Sequence, residues 1–332
     1  MRASIIILLC IFSLFSFSQN NTSTIVFYNV ENLFDTINDP STKDDDYTPE
    51  GKKNWTNTRY SKKLNDIAKV ISSVNKEALP CLIGFAEIEN RSVLEDLIKT
   101  DYLKDINYKI IHEESSDIRG IDVGLIYNPK DFTYLMHKKI PIPLDTEYKV
   151  RDILYMKGVL NNEDTLHVFV NHWKSRSGGQ EKTEPQRIQC AQTLKNTVDS
   201  ILTKNIKANI VIIGDLNDEP TDKSIFETLR ANNSNENLSL NNLMLSLSRE
   251  GLGTHSYRGD WSMLDHIIVS KSLLKNNSGY IIENGKAHIF SADWITYENK
   301  EGHKSPNRTY GGSNYYGGYS DHYPVYVILK KQ

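Results

Sequence analysis

The way its short apolar runs end constrains what this chain can fold into. Seven runs read as β-strands: TIVFY (24–28), CLIGFA (81–86), DVGLIY (122–127), LHVFV (166–170), NIVIIG (209–214), HIIVS (266–270) and YPVYVIL (323–329). Each is dominated by β-branched, aromatic and other apolar residues, as buried strands require. Four are followed at once by polar residues: Asn29, Glu87, Asn171-His172 and Asp215-Leu216-Asn217. Two are preceded by them: Asp265 and Asp321-His322. A strand that ends at a rim and an antiparallel neighbour that begins there put their polar residues on the same edge. Mixed sheets would therefore gather all six groups on one rim.

Two helices separate these runs. Leu64, Ile67, Ala68, Ile71 and Val74 recur at helical spacing within 58–76, and Ile188, Ala191, Leu194, Val198, Ile201 and Leu202 do so within 184–204. The class is α/β. The chain has 332 residues, with no visible repeat and no Pro/Ser-rich linker, so residues 19–332 read as one domain. A net charge of −3 excludes a globally basic, passive nucleic-acid binder but leaves room for a local basic groove.

The opening MRASIIILLCIFSLFSFSQN has Arg2, an apolar run from Ile5 to Phe17, and Ser16 and Ser18 at small-residue cleavage positions. It reads as a signal peptide over 1–18, giving an exported protein: periplasmic, cell-surface or secreted. The alternative is an uncleaved anchor, for which the run is short. No later segment has the length and apolarity of a span, and no stable protein partner is indicated. Cys81 and Cys190 read as buried free thiols; export allows a disulfide, but no framework spacing indicates one.

FYNVENLFD, GFAEIEN, RGIDVGLIY, VNHWKSRSGG, IIGDLNDEP, WSMLDHIIVS and YSDHYPV follow one another along nearly the whole chain after residue 20. Together they resemble the endonuclease/exonuclease/phosphatase superfamily, whose fold is like that of deoxyribonuclease I. The resemblance implies a four-layer sandwich of two packed mixed β-sheets flanked by helices.

The residues suit phosphate-ester hydrolysis, which must neutralise an anionic substrate and activate water. A hard divalent cation, Mg²⁺ or Mn²⁺ with Ca²⁺ as a further option, prefers oxygen ligands. Glu87 is the leading ligand with Asn29 beside it, Glu89 is the rival, and Glu31 falls where the family often has a second acid. Asp215 would orient or deprotonate water, and Asn217 would hold a phosphate oxygen or leaving group; an Asx turn is the bland reading of that pair. His322 would act as base or as electrostatic stabiliser. By resemblance, Asp265 is its partner, Asp321 is a second metal or water ligand, and His172 matches a histidine of the nuclease branch. Arg119, Lys174 and Arg176 are candidate phosphate contacts, with exposed loop charge as the alternative. Trp173 and the tyrosines of TYGGSNYYGGYSDHY could stack on bases or pack within the fold.

The function expected is that of an exported, divalent-metal-dependent phosphodiesterase, a nuclease acting on DNA or RNA. One alternative keeps the site and changes the substrate: a phosphatase or phospholipase-type enzyme on inositol phosphates, sugar phosphates or sphingomyelin. Another is a surface binding protein with an inactive site.

Overall fold

A computed structural model describes residues 22–144, 149–275 and 279–332; the signal peptide expected over 1–18 lies outside them. Two mixed sheets form the centre. In the first, strands lie in the order Tyr280–Ile282, Val325–Lys331, Thr22–Leu33, Leu82–Ile88, Asp122–Tyr127, Lys109–His112. In the second, the order is Phe132–Ile140, Ile153–Leu160, Asp164–His172, Asn209–Asp215, Asp265–Val269, Asn241–Asn242. Each sheet contains one parallel pair, Thr22–Leu33 with Leu82–Ile88 and Asp164–His172 with Asn209–Asp215. Parallel neighbours need a crossover. Helices α1 (Asn57–Ser73) and α3 (Gln180–Lys204) lie in the two crossovers, and the short α2 (Arg91–Leu97) lies beyond the first.

Strand alternation builds the layers. Ile25 and Phe27 point between the sheets and meet Val168, Val170, Val211 and Ile213 from the other side. Val26 and Tyr28 point outward, where Leu64, Ile67 and Ile71 of α1 cover them. On the second sheet Ile210 and Ile212 face outward against Cys190, Ala191, Leu194 and Val198 of α3. Both faces of the central strands are buried, which is why they read as continuous apolar runs. The result is the expected four-layer sandwich. Gly84 marks the close approach of the sheets: a Cβ there would meet Ile213 Cδ1 at 2.6 Å.

The two helices and seven runs read from the sequence are all present, with ends shifted by a few residues. Three strands of four or more residues were not read, nor were the shorter ones. Phe132–Ile140 is an edge strand whose Tyr134, Leu135 and Met136 are exposed, so no alternation marks it. Ile153–Leu160 is interrupted by Lys157-Gly158, where the missing side chain makes room for the Phe132 ring. Lys109–His112 is too short to give a pattern. Cys81 and Cys190 are free and buried on opposite sides of the second sheet.

Candidate active site

The rim is assembled by register. His172, Asp215 and Asp265 are successive partners across three neighbouring strands of the second sheet. The first sheet brings Asn29 to the same place, where its Nδ2 donates to Asp215 Oδ2 at 3.0 Å and to Glu87 Oε1 at 3.4 Å.

Glu87 arrives by a break in alternation. Phe85 and Ile88 both pack under the helices, while Ala86 lies between the sheets. The register shifts between Ala86 and Ile88, and Glu87 has φ +63°. This bulge turns the carboxylate to the rim, where Oε2 accepts from the Asn32 amide at 3.0 Å. A left-handed glutamate is costly and is held by its surroundings. Glu89, the rival, instead accepts from the Asp35 amide at 2.6 Å. Glu31 accepts from the Thr309 and Tyr310 amides with its two oxygens, so it anchors the tyrosine-rich loop.

Asp321-His322 enters from the first sheet. Ser320 Oγ donates to the Asn29 carbonyl at 2.7 Å and accepts from the His322 amide, which fixes the segment. His322 Nδ1 then lies 2.7 Å from Asp265 Oδ2, and its Nε2 lies 3.9 Å from Asp215 Oδ2. His172 Nε2 sits 3.7 Å from Asp215 Oδ2 and 3.9 Å from Glu87 Oε1.

Burial decides the charge states. It pushes the Asp215 carboxyl up, against the pull of His322 and helped by Asp265 and Glu87, to about 7. It pushes Glu87 up as well, reinforced by Asp321. Burial would lower His322, but Asp265, Asp215 and Asp321 outweigh it and hold the imidazole well above its ordinary value. His172 is pushed well below its own by burial and by Arg151 and Arg119. His255, whose ring centre is 4.9 Å from that of His322, is lowered by burial to about 4. The rim thus holds one charged imidazole between carboxylates, and neutral imidazoles on either side.

Not every predicted residue joins this contact set. Asp321 pairs with Arg308 at 2.6 Å and groups with His255 and His322, and its charge acts on Glu87. Asn217 has φ +53°; its amide donates to Asp215 Oδ1 and its Nδ2 to the Trp173 carbonyl, so it braces the Asp215 loop. Arg176 donates from Nε to the Asn217 carbonyl at 2.8 Å and pairs with Asp222 at 2.7 Å, which turns its guanidinium into the protein. Trp173, open between stacking on bases and packing within the fold, is wholly buried under α3 with its Nε1 on Asn171 Oδ1. A large apolar ring next to a core strand gains more from burial than from exposure. Arg119 pairs with Asp117 through Nε and Nη2, one edge of its guanidinium, yet stays half exposed, and Lys174 is partly exposed near it. In the tyrosine loop, Tyr310 packs on Trp55 and Tyr323 stacks on Trp261, while Tyr316 remains exposed.

Sequence reasoning missed Arg151, which is buried, pairs with Asp117 at 3.1 Å and donates to the Trp173 carbonyl. An Arg-Asp dipeptide opening an apolar run was the available signal. It also missed His255 and Arg308, whose loops carry no periodicity.

The donor chemistry fits a hard cation. The Glu87 and Asp215 carboxylates face one point, and burial raises both. Asn29, expected as a ligand, turns its Nδ2 to them while its Oδ1 accepts from the Glu31 amide at 3.1 Å, so it bridges the two carboxylates rather than offering oxygen.

Solved structures with the same fold include zebrafish (D. rerio) TDP2 complexed with a single-strand DNA product, at 15% identity and TM-score 0.55, covering 93% of this chain and 99% of that one. The human Nocturnin catalytic domain with bound sulfate matches at 15% identity and TM-score 0.58, covering 94% and 95%. A mannosyl-6-phosphatase from Bacteroides thetaiotaomicron matches at 14% and 0.56, covering 92% and 99%. A comparison with curated protein sequences found no match. The sequence model of the Endonuclease/Exonuclease/phosphatase family matches residues 24–331, almost the whole described chain. The chain belongs to that family, whose members hydrolyse phosphate esters.

Proposed function

We propose that the protein is a divalent-metal-dependent phosphodiesterase that cleaves nucleic acid, exported by the segment at its N-terminus. The observation that carries the reading is the meeting of Asn29 and Glu87 from one sheet with His172, Asp215 and Asp265 from the other, closed by His322. Held at Glu87, whose carboxylate Asn29 Nδ2 ties to Asp215, Mg²⁺ or Mn²⁺ would supply Lewis-acid neutralisation of a phosphoryl oxygen. Asp215, poised near neutral pH, accepts the proton of the attacking water. His322, held charged by Asp265, offers Nε2–H to the charge that develops on the phosphate. His172 Nε2, 3.7 Å from Asp215 and 3.9 Å from Glu87, closes the rim beside both carboxylates. Arg119 and Lys174 meet a neighbouring phosphate. The single-strand DNA product in one structural neighbour supports a nucleic-acid substrate.

A second reading, hydrolysis of a sugar phosphomonoester, is favoured by the inward-turned Arg176 and buried Trp173, which shorten any polymer track, and by the mannosyl-6-phosphatase among the neighbours. Plasmid DNA, linear DNA, RNA and a sugar phosphate, compared at equal enzyme and saturating Mg²⁺, decide between them. Phosphate release from the monoester with intact nucleic acid would overturn the nuclease reading.

A further inference from the structure

The rim holds a second donor set, chemically unlike the first. His255, Asp321 and His322 each offer a ligand atom, and the three atoms lie within 4.8 Å of one another. Two imidazoles and one carboxylate suit a borderline-soft ion such as Zn²⁺, whereas the oxygen donors around Glu87 suit Mg²⁺.

The placement is rigid. His255 opens a hairpin (His255–Tyr257 with Asp260–Ser262) and bridges backbone to backbone with His322. The Thr254 carbonyl accepts from the Tyr323 amide at 2.8 Å, and Thr254 Oγ1 accepts from the Asp265 amide at 3.2 Å. The residue before His255 is therefore tied to the segments that carry both His322 and its partner.

The outer contacts are those of metal sites. Asp265 takes the Nδ1–H of His322 at 2.7 Å, which leaves Nε2 as the coordinating nitrogen; a carboxylate behind a histidine is the usual support for a metal ligand. Arg308 holds Asp321 through Oδ2 and so fixes the carboxylate without enclosing it.

We propose that His255, Asp321 and His322 form an inhibitory transition-metal site, selective for Zn²⁺-like ions, that silences the enzyme by occupying His322 Nε2. Binding forms the N–metal bond at the expense of the Nε2 proton, which leaves to solvent. The imidazole then has no proton to present to substrate. The inhibition, though not the binding, rests on the role given to His322 above.

The test titrates the metal-free full chain with Co²⁺ in excess Mg²⁺ and follows ligand-field absorption. One Co²⁺ per chain is expected, displaced stoichiometrically by Zn²⁺. His255→Asn and the closer-sized His255→Gln should each weaken Co²⁺ binding at least about tenfold, by analogy with the loss of a mere supporting residue. His112→Asn alters the separate His112, Glu114 and Asp122 group and should leave the affinity unchanged. Wild-type affinity in both His255 variants, or loss in His112→Asn, overturns the site. In the activity arm, Zn²⁺ should inhibit the wild type, and both His255 variants, each measured against its own uninhibited rate, should need at least about tenfold more. Equal Zn²⁺ sensitivity overturns the inhibitory role. If His322→Ala retains full hydrolysis while the Co²⁺ titration behaves as expected, the catalytic assignment fails and the metal site stands.

Discussion

His322 and Asp265 are joined at 2.7 Å although they come from different sheets, His322 from the entry to Val325–Lys331 and Asp265 from the start of Asp265–Val269. A second cross-sheet bond, from Asn29 to Asp215 at 3.0 Å, lies beside it. The site therefore exists only when both sheets have packed, and its geometry reports directly on the sandwich.

His322→Ala and Asp215→Asn are each expected to lower the rate by at least about a hundredfold, the low end for loss of an acid–base group. Asp265→Asn should be milder, because an amide oxygen still accepts from Nδ1. It removes the charge that most raises His322, so the imidazole loses its proton at lower pH. The alkaline limb of the pH–rate profile should move to lower pH in this variant. A limb in the wild-type position would refute the charged-imidazole role.

Chelation should abolish turnover, and Mg²⁺ or Mn²⁺ should restore it. Glu87→Gln removes the charge but keeps the shape, so it should raise the metal concentration for half-activity by at least about tenfold, as for loss of a ligand-supporting group. Full activity after exhaustive chelation would sink the idea.

Arg119→Ala and Lys174→Ala are expected to reduce the salt dependence of nucleic-acid cleavage, each by about one unit of slope, since each withdraws one phosphate contact. Arg176→Ala should behave differently. Its guanidinium supports the Asn217 carbonyl and Asp222, so the loss should fall on the turnover number and leave the salt slope as it was. A reduced slope for Arg176→Ala would place it on the substrate instead.

His266 sets a pH dependence of stability. It is wholly buried, with Nε2 2.9 Å from the Asp218 carbonyl and Nδ1 3.1 Å from Asn242 Nδ2. These partners assign the neutral Nε2–H tautomer, which donates to the carbonyl and accepts from the amide. Burial lowers its pKa from 6.5 to about 4, so the unfolded chain binds a proton that the folded chain refuses. The contribution is full above 6.5 and is lost as pH falls toward about 4, amounting to about 3 kcal/mol. Urea unfolding across that window should show the decline, and His266→Gln should flatten it.

Much of the fold was legible because buried strands and amphipathic helices write their burial into residue order. Polar residues at strand ends likewise marked Asn29, Glu87, His172, Asp215, Asp265 and His322 as one rim, since strand direction alone puts such ends together. Local order put Glu87 first but kept Glu89 as its rival. The bulge at Glu87 separates them, and it exists because Ile88 must pack under the helices. Trp173 was left open between stacking on bases and packing, and Arg176 between a phosphate contact and exposed loop charge, because nothing near them in sequence reveals α3 above the ring or Asp222 beside the guanidinium. His255 and Arg308 were invisible for the same reason: each reaches the rim from a loop whose path is set by distant partners, Thr254 on Tyr323 and Arg308 on Asp321. The sequence determined which residues could do chemistry and which strands would carry them. Packing of one sheet on the other decided which of those side chains meet, because contacts between residues far apart in the chain form only when the buried faces close.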